Sequence, residues 1–143
     1  LTLKFLGDTD AELISAVARI LSEVAAGYDE FLIDLHGLGV FPDLRRPSVV
    51  WVGIRTEGPL AEMAAAVEQR LAELGFPPER RKFHAHLTVA RIKGRAPREL
   101  VSYVTENEDR DYGSHVVESL ELYQSELSPH GARYTVMASA VLG

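Results

Sequence analysis

Two histidines and a threonine occupy alternate positions in "FHAHLTVAR", residues 83–91. Alternate residues of a β-strand share a face, so His84, His86 and Thr88 are predicted to point the same way. An imidazole titrates near neutral pH, a hydroxyl donates hydrogen bonds, and the guanidinium of a nearby residue such as Arg91 binds phosphate with two parallel hydrogen bonds. This pattern predicts proton transfer on a phosphate group.

Metal binding is the alternative for the same residues. His84 and His86 at positions i and i+2 of a strand can both bind one zinc ion, but a zinc site needs further ligands. The acidic residues nearby form no ligand motif. The sequence therefore favours phosphate chemistry, with neither a metal nor another cofactor. The intervening residues, Leu87 and Val89, are predicted to face the core.

Composition limits the classes of protein to which the chain can belong. Its 143 residues suit one domain, and the net charge of −6 argues against a protein that coats long nucleic acids. The absence of cysteine excludes thiolate chemistry and predicts a cytoplasmic protein, and no apolar run is long enough to span a membrane. Seven of the 15 basic residues fall within residues 80–98, which predicts a local site for a small anion: Arg80, Arg81, Lys82, Arg91, Lys93, Arg95 and Arg98.

Hydrophobic periodicity predicts an α+β fold with helices on a mostly antiparallel sheet. Trp51 is predicted to lie in the core, and His115 and His130 on the surface. A capping box is predicted at Thr9 to Glu12. The predicted strands are 1–7, 31–40, 49–55, 85–92, 115–127 and 132–142, the last two joined by a hairpin at "SPHG"; the predicted helices are 13–24, 60–74 and 97–107.

Five segments together resemble one known family. They are "LTLKFLG" at 1–7, "GLGVFP" at 37–42, "PSVVWVGI" at 47–54, "FHAHLTVAR" at 83–91 and "SELSPHGARYTV" at 125–136. In this order they resemble the two-histidine phosphoesterases, and more narrowly the RNA 2′,3′-cyclic phosphodiesterases historically called 2′-5′ RNA ligases. Each segment alone is only moderately specific, and the resemblance covers nearly the whole chain.

The resemblance implies a particular architecture. Residues 1–143 would form a single two-lobed domain whose α+β lobes are related by a pseudo-twofold axis around a central cleft. Each lobe would carry one His-x-Thr motif, which explains why "LTLKF" at 1–5 echoes "LTVAR" at 87–91. The family's first motif would place a histidine immediately before Leu1, preceded by an N-terminal strand and helix.

The resemblance also implies residue roles. His86, Thr88 and Thr2 would be catalytic, while Arg91 would bind the phosphate and Phe5 the base or ribose. Strict alternation sets Arg91 and Phe5 on the face opposite the threonines, so both would need a bulge or bend. The implied partners are RNA 3′ ends or small nucleotides with a 2′,3′-cyclic phosphate, bound by a monomer without an obligate protein partner. The alternatives are a non-catalytic module that binds nucleotides or RNA ends, and a phosphodiesterase acting on 2′-5′ oligonucleotides or other cyclic nucleotides.

Overall fold

A computed structural model describes residues 1–56, 58–129 and 131–143. It confirms the α+β class, with antiparallel pairing in the β1–β2, β2–β3 and β5–β6 ladders. The elements are a 3₁₀-helix (Ala11–Leu13), α1 (Ile14–Ala25), β1 (Phe31–Phe41), β2 (Val49–Arg55), α2 (Leu60–Ala72), β3 (His86–Arg91), α3 (Glu99–Glu106), β4 (Asp111–Val117), β5 (Ser119–Ser128) and β6 (Gly131–Val141). Within these ranges, no helix has the length and apolarity that crossing a membrane demands.

The first of two compact units carries a four-stranded sheet in the order β3-β2-β1-β4. It comprises Leu1–Leu3, Leu32–Leu60 and Phe83–Val116. Val50 and Val52, alternate residues of β2, are buried on one face of the sheet, and Val104 of α3 is also buried.

A bulge at Gly37 brings the end of α3 against β1. The Gly37 N–H donates to the Arg110 carbonyl at 2.8 Å, and a Cβ at this position would lie 2.3 Å from the Glu108 carbonyl oxygen. Gly37 also has φ +75°, so both the backbone conformation and the close carbonyl favour glycine at this position.

The second unit comprises Lys4–Phe31, Ala61–Lys82 and Val117–Gly143. Helix α1 packs on the β5–β6 hairpin. Its apolar residues recur every three or four positions, so one stripe of the helix faces inward. The buried residues of α1 are Val17, Ile20, Leu21, Val24 and Ala25, and the hairpin buries Leu120, Leu122, Ala140 and Leu142.

Three predicted elements are wrong. Residues 1–7 form no strand, because no ladder pairs them with another part of the described chain. The strand predicted at 115–127 is two strands, since β4 joins the four-stranded sheet while β5 pairs with β6. The predicted capping box is absent: the Thr9 hydroxyl donates to the Gly7 carbonyl at 3.1 Å, and no side chain caps the helix.

The other predicted helices and strands are observed within a few residues of their expected bounds. The hairpin predicted at "SPHG" joins β5 to β6, with Ser128 opposite Gly131. His115 is exposed as predicted, while His130 lies outside the described residues. The pseudo-twofold relation stays a prediction.

Candidate active site

Strand β3 carries the predicted catalytic motif and pairs with β2 along its length. Directly opposed residues of an antiparallel pair share a face of the sheet. His86 lies opposite Gly53, and Thr88 opposite Trp51. Gly53 and Trp51 are alternate residues of β2, so His86 and Thr88 lie on one face, as the sequence predicted.

A register shift in the β2–β3 ladder brings Arg91 to that same face. Val50 pairs with Ala90 and Trp51 with Thr88, so Val89 has no partner of its own. Arg91 then pairs with Val49, two residues from Trp51. A bulge of this kind inserts one residue and re-aims those that follow it. The sheet therefore supplies the irregularity that Arg91 needs to join His86 and Thr88.

The neighbouring apolar residues of β3 are more exposed than predicted, although Leu87 shares a face of the sheet with its buried partner Val52. Leu87 is 37% exposed and Val89 is 53% exposed. The physical reason is the position of β3 at the edge of the sheet, since α3 is bonded through its C-terminal end to β1, two strands away. The sheet alone therefore decides which way the β3 side chains point.

A hydrogen bond fixes the proton on the His86 ring. Nδ1 lies 2.6 Å from the His84 carbonyl oxygen. Because a carbonyl oxygen can only accept, Nδ1 must carry the hydrogen, and in the neutral ring Nε2 keeps its lone pair. His86 is half-buried, whereas Thr88 and Arg91 are exposed. Nε2 of the neutral ring is therefore available as a base beside a hydroxyl and a guanidinium.

Four aromatic rings form a cluster around this motif: Phe41, Trp51, His84 and His86. Phe41 meets His86 edge to face, with centroids 5.0 Å apart and planes at 88°. Trp51 lies 5.2 Å from Phe41, 5.1 Å from His84 and 6.4 Å from His86. The prediction of Trp51 as a core residue is thus only partly right, because its ring is half-buried beside the histidines.

The second predicted threonine belongs to the same compact unit as the first. Leu1–Leu3 group with Phe83–Val116, whereas Phe5 belongs to the second unit. Thr2 is exposed, and the Phe5 side chain is 76% exposed. The roles of Thr2 and Phe5 stay predictions.

Metal binding by His84 and His86 would require at least one further ligand, and the described residues provide none beside them. In the parts of the chain that the structure describes, no three His, Asp or Glu side chains come close enough together to hold an ion. His84 contributes its carbonyl to His86 and its ring to the aromatic cluster.

The basic residues of 80–98 divide between the two units. Arg80–Lys82 belong to the second unit and Arg91–Arg98 to the first. In the first unit, the Ile92 N–H donates to the Ser48 carbonyl at 2.8 Å and joins this stretch to the loop that carries Arg45 and Arg46. Sequence reasoning did not include those two arginines, although their adjacency in "LRRPS" was a visible signal.

A cavity in the first unit lies apart from these residues. Its volume is about 490 Å³, and neither His86 nor Thr88 lines it. The lining residues are Leu38, Gly39, Val40, Asp43, Leu44, Arg45, Val104, Thr105 and Glu108.

Comparison with known proteins adds independent evidence. The family model described as the 2′-5′ RNA ligase superfamily matches residues 1–128. The RNA 2′,3′-cyclic phosphodiesterase of Aeropyrum pernix is 38% identical over 139 residues, which cover 96% of this chain and 78% of that protein. The enzyme of the same name from Archaeoglobus fulgidus is 37% identical over 94% of this chain and 74% of its own length.

Solved structures agree with the sequence relatives. A Thermus thermophilus protein matches with a TM-score of 0.84 and 29% identity, covering 99% of this chain and 76% of its own. Escherichia coli LigT complexed with 3′-AMP matches with a TM-score of 0.75 and 27% identity, covering 99% of this chain and 75% of LigT. The chain therefore belongs to the 2′-5′ RNA ligase superfamily.

Proposed function

We propose that the protein is an RNA 2′,3′-cyclic phosphodiesterase, which opens a terminal 2′,3′-cyclic phosphate to a 2′-phosphate. One observation carries this proposal: the bulged β2–β3 register sets a base, a hydroxyl and a guanidinium on one face of the sheet. Three relatives that are 34–38% identical to this chain over most of its length are named RNA 2′,3′-cyclic phosphodiesterase.

The reaction is an in-line displacement at phosphorus. Nε2 of His86 takes a proton from water, and the water oxygen forms a bond to phosphorus as the bond to O3′ breaks. A general acid protonates the departing O3′, leaving a 3′-hydroxyl and a 2′-phosphate. One histidine on each side of phosphorus suits this chemistry. We assign the acid to the histidine that the family motif places immediately before Leu1.

The remaining site residues bind the phosphate and the nucleoside. Arg91 forms charge-assisted hydrogen bonds to phosphoryl oxygens, and the hydroxyls of Thr88 and Thr2 donate to the charge that develops on them. Phe5 is exposed and contacts the base or ribose. The assigned chemistry uses neither a metal nor a nucleotide cofactor.

The biological setting follows from the same chemistry. The substrate is an RNA 3′ end or a small nucleotide with a 2′,3′-cyclic phosphate, bound by a monomer whose single two-lobed domain includes residues 1–143. Run in reverse, the site joins a 5′-hydroxyl to the cyclic phosphate through a 2′-5′ bond. A cysteine-free composition suits action in the cytoplasm.

The deciding experiment measures turnover of a 2′,3′-cyclic nucleotide by the natural full-length gene product. His86→Ala should lower kcat by about 10²–10⁴-fold, the usual effect of losing one general acid or base. The matched control is His115→Ala, which removes an exposed histidine from β4 of the same unit and should leave kcat unchanged. The product should be the 2′-phosphate rather than the 3′-phosphate.

Three outcomes would contradict the proposal. A normal rate in His86→Ala would remove the assigned base. Loss of activity in EDTA with recovery in zinc would favour metal binding by His84 and His86. Tight binding of cyclic-phosphate ends without turnover at any pH would identify a binding module.

A further inference from the structure

The indole of Trp51 occupies a space that Gly39 leaves open. A Cβ on Gly39, its partner across β1 and β2, would lie 2.2 Å from Cη2 and Cζ2 of the indole. A Cβ on Gly53 would lie 3.5 Å from Cζ3. Gly39 has no positive φ, so its backbone would accept alanine, and the indole is the nearest obstacle to one. The ring therefore lies against Gly39 of β1.

Trp51 is not the residue that stability alone would select at this position. Its Nε1–H is buried and has no hydrogen-bond partner in the described parts of the chain. An unpaired buried donor costs free energy that an apolar ring such as phenylalanine would avoid. The larger ring extends to His84 at 5.1 Å and to Phe41 at 5.2 Å, and both of these rings contact His86.

Trp51 also lies directly opposite Thr88 in the β2–β3 ladder. Trp51 therefore neighbours both residues of the motif. It pairs with Thr88 in the ladder and contacts the His86 imidazole in the cluster of rings. A ring packed on this side limits the rotamers open to His86, and the bond from Nδ1 to the His84 carbonyl requires one particular ring orientation.

We infer that Trp51 is a positioning residue, which holds the His86 ring in the orientation that keeps Nδ1–H on the His84 carbonyl and Nε2 free. Its kinetic consequence rests on the proposed function. The ring orientation does not, because the tautomer is a property of the folded chain whether or not it turns over substrate.

The test replaces Trp51 with leucine and observes the His86 ring nitrogens by long-range ¹H–¹⁵N correlation. In the parent, neutral His86 should be the Nδ1–H form alone; in Trp51→Leu both tautomers should be populated. The matched control is Val52→Ala, which removes buried apolar volume from the adjacent residue of β2 and should leave the tautomer unchanged. A single Nδ1–H tautomer in Trp51→Leu would overturn the inference.

The kinetic arm uses the full-length gene product. Trp51→Leu should lower kcat by about 10- to 100-fold with KM changed less than about threefold, since misplaced catalytic groups lower the rate more than the affinity. Trp51→Phe should recover part of the loss. An unchanged kcat in Trp51→Leu beside a His86→Ala variant that is inactive would reject the positioning role and leave the proposed function standing. An inactive parent would reject the proposed function, and the tautomer would still decide the positioning role.

Gly39→Ala supplies a second route in case Trp51→Leu does not fold. The added methyl should displace the indole, lower the melting temperature and mix the His86 tautomers. In the double variant Gly39→Ala/Trp51→Leu, the melting temperature should recover because the clash is gone, but the single tautomer should not return. A single tautomer in Gly39→Ala, or its return in the double variant, would contradict the inference.

Discussion

The dipeptide Leu-Thr occurs twice in this chain, and the two copies are held by different means. Leu87-Thr88 lies within β3, where the ladder to β2 fixes the direction of each side chain. Leu1-Thr2 lies outside any strand of the described chain. Lys4, two residues after Thr2, belongs to the second unit, where its Nζ donates to both carboxylate oxygens of Glu68 at 2.8 Å.

The difference shows how a short motif becomes a site. In β3 the face of the sheet on which a side chain lies depends on backbone pairing and not on any single side-chain contact. At the N-terminal copy no ladder of the described chain sets that direction, and the adjoining Lys4 forms an ion pair in which its side chain is only 6% exposed. Within the second unit, Lys4 also donates to the Pro77 carbonyl at 2.9 Å, so its side chain is bonded to helix α2 and to the loop that follows it.

The largest expected contrast between the two copies lies in their fifth residues, Arg91 and Phe5. Arg91→Ala should lower kcat/KM for a 2′,3′-cyclic nucleotide by about 10²–10³-fold, because it removes a charged donor from the developing phosphate charge. Phe5→Ala should raise KM by less than about tenfold, as expected for one stacking contact. Steady-state kinetics of both variants measures the contrast.

Arg133→Ala is the control, because it removes an exposed guanidinium from β6 of the second unit. Equal losses in Arg91→Ala and Arg133→Ala would mean that only general charge matters. The bulge at Val89 would then have no role in the site.

The threonines provide the next contrast. Thr88→Ala and Thr2→Ala should each lower kcat by about 10- to 100-fold, the equivalent of a hydrogen bond worth about 1.5–3 kcal/mol to a charged group. Thr135→Ala, on exposed β6, should have no effect. A neutral Thr2→Ala beside an impaired Thr88→Ala would show that the N-terminal copy is not part of the site.

Local sequence patterns predicted most helices and strands, whereas the bulge in β3 and the assignment of strands to sheets depend on strand pairing. The periodicity of α1 and the apolar run of β2 depend on neighbours in sequence, so both were recognisable. The bulge at Val89 depends on which residue of β2 meets which residue of β3, and no local pattern encodes that. The strand predicted across 115–127 failed for the same reason, because β4 and β5 join different sheets.

The candidate site was predictable in composition but not in geometry. The sequence was sufficient to identify His86, Thr88 and Arg91, and to predict that Arg91 needs a bulge to reach the same face. It did not anticipate the His84 carbonyl as the partner of Nδ1, which depends on the local backbone and the His86 rotamer, or the approach of Trp51 to Gly39, which depends on strand pairing. Trp51 and Gly39 are 12 residues apart in the sequence.

The ion pair at Lys4 should affect stability rather than chemistry. Lys4→Met should lower the free energy of unfolding by about 2 kcal/mol, because it removes charge-assisted hydrogen bonds and leaves the Glu68 carboxylate without its partner. Urea denaturation at neutral pH measures this.

Arg19→Met is the matched control, since Arg19 pairs with Glu23 on the exposed face of α1 at 3.9 Å and should contribute less than about 0.5 kcal/mol. Equal effects of the two variants would show that the Lys4 pair is an ordinary surface contact.

The smallest expected effect is the dependence of that ion pair on pH. Burial of the Glu68 carboxyl raises its pKa, but the hydrogen bonds from Lys4 and from the Glu79 N–H outweigh burial, so the pKa lies below its ordinary value of 4.5. A lowered pKa means that the folded protein favours the ionised carboxylate. Its contribution to stability is therefore complete above the ordinary pKa and disappears as the pH falls through the folded value.

In Lys4→Met the folded pKa of Glu68 should return toward 4.5. The difference in unfolding free energy between parent and Lys4→Met should then narrow as the pH falls below about 4, by less than about 1 kcal/mol because the pair is partly hydrated. Urea denaturation at several acidic pH values measures this difference. When both proteins also carry Glu68→Gln, the difference should no longer depend on pH. A difference that stays constant with pH would mean that Lys4 contributes to stability through the Pro77 carbonyl alone, since that bond does not titrate with Glu68.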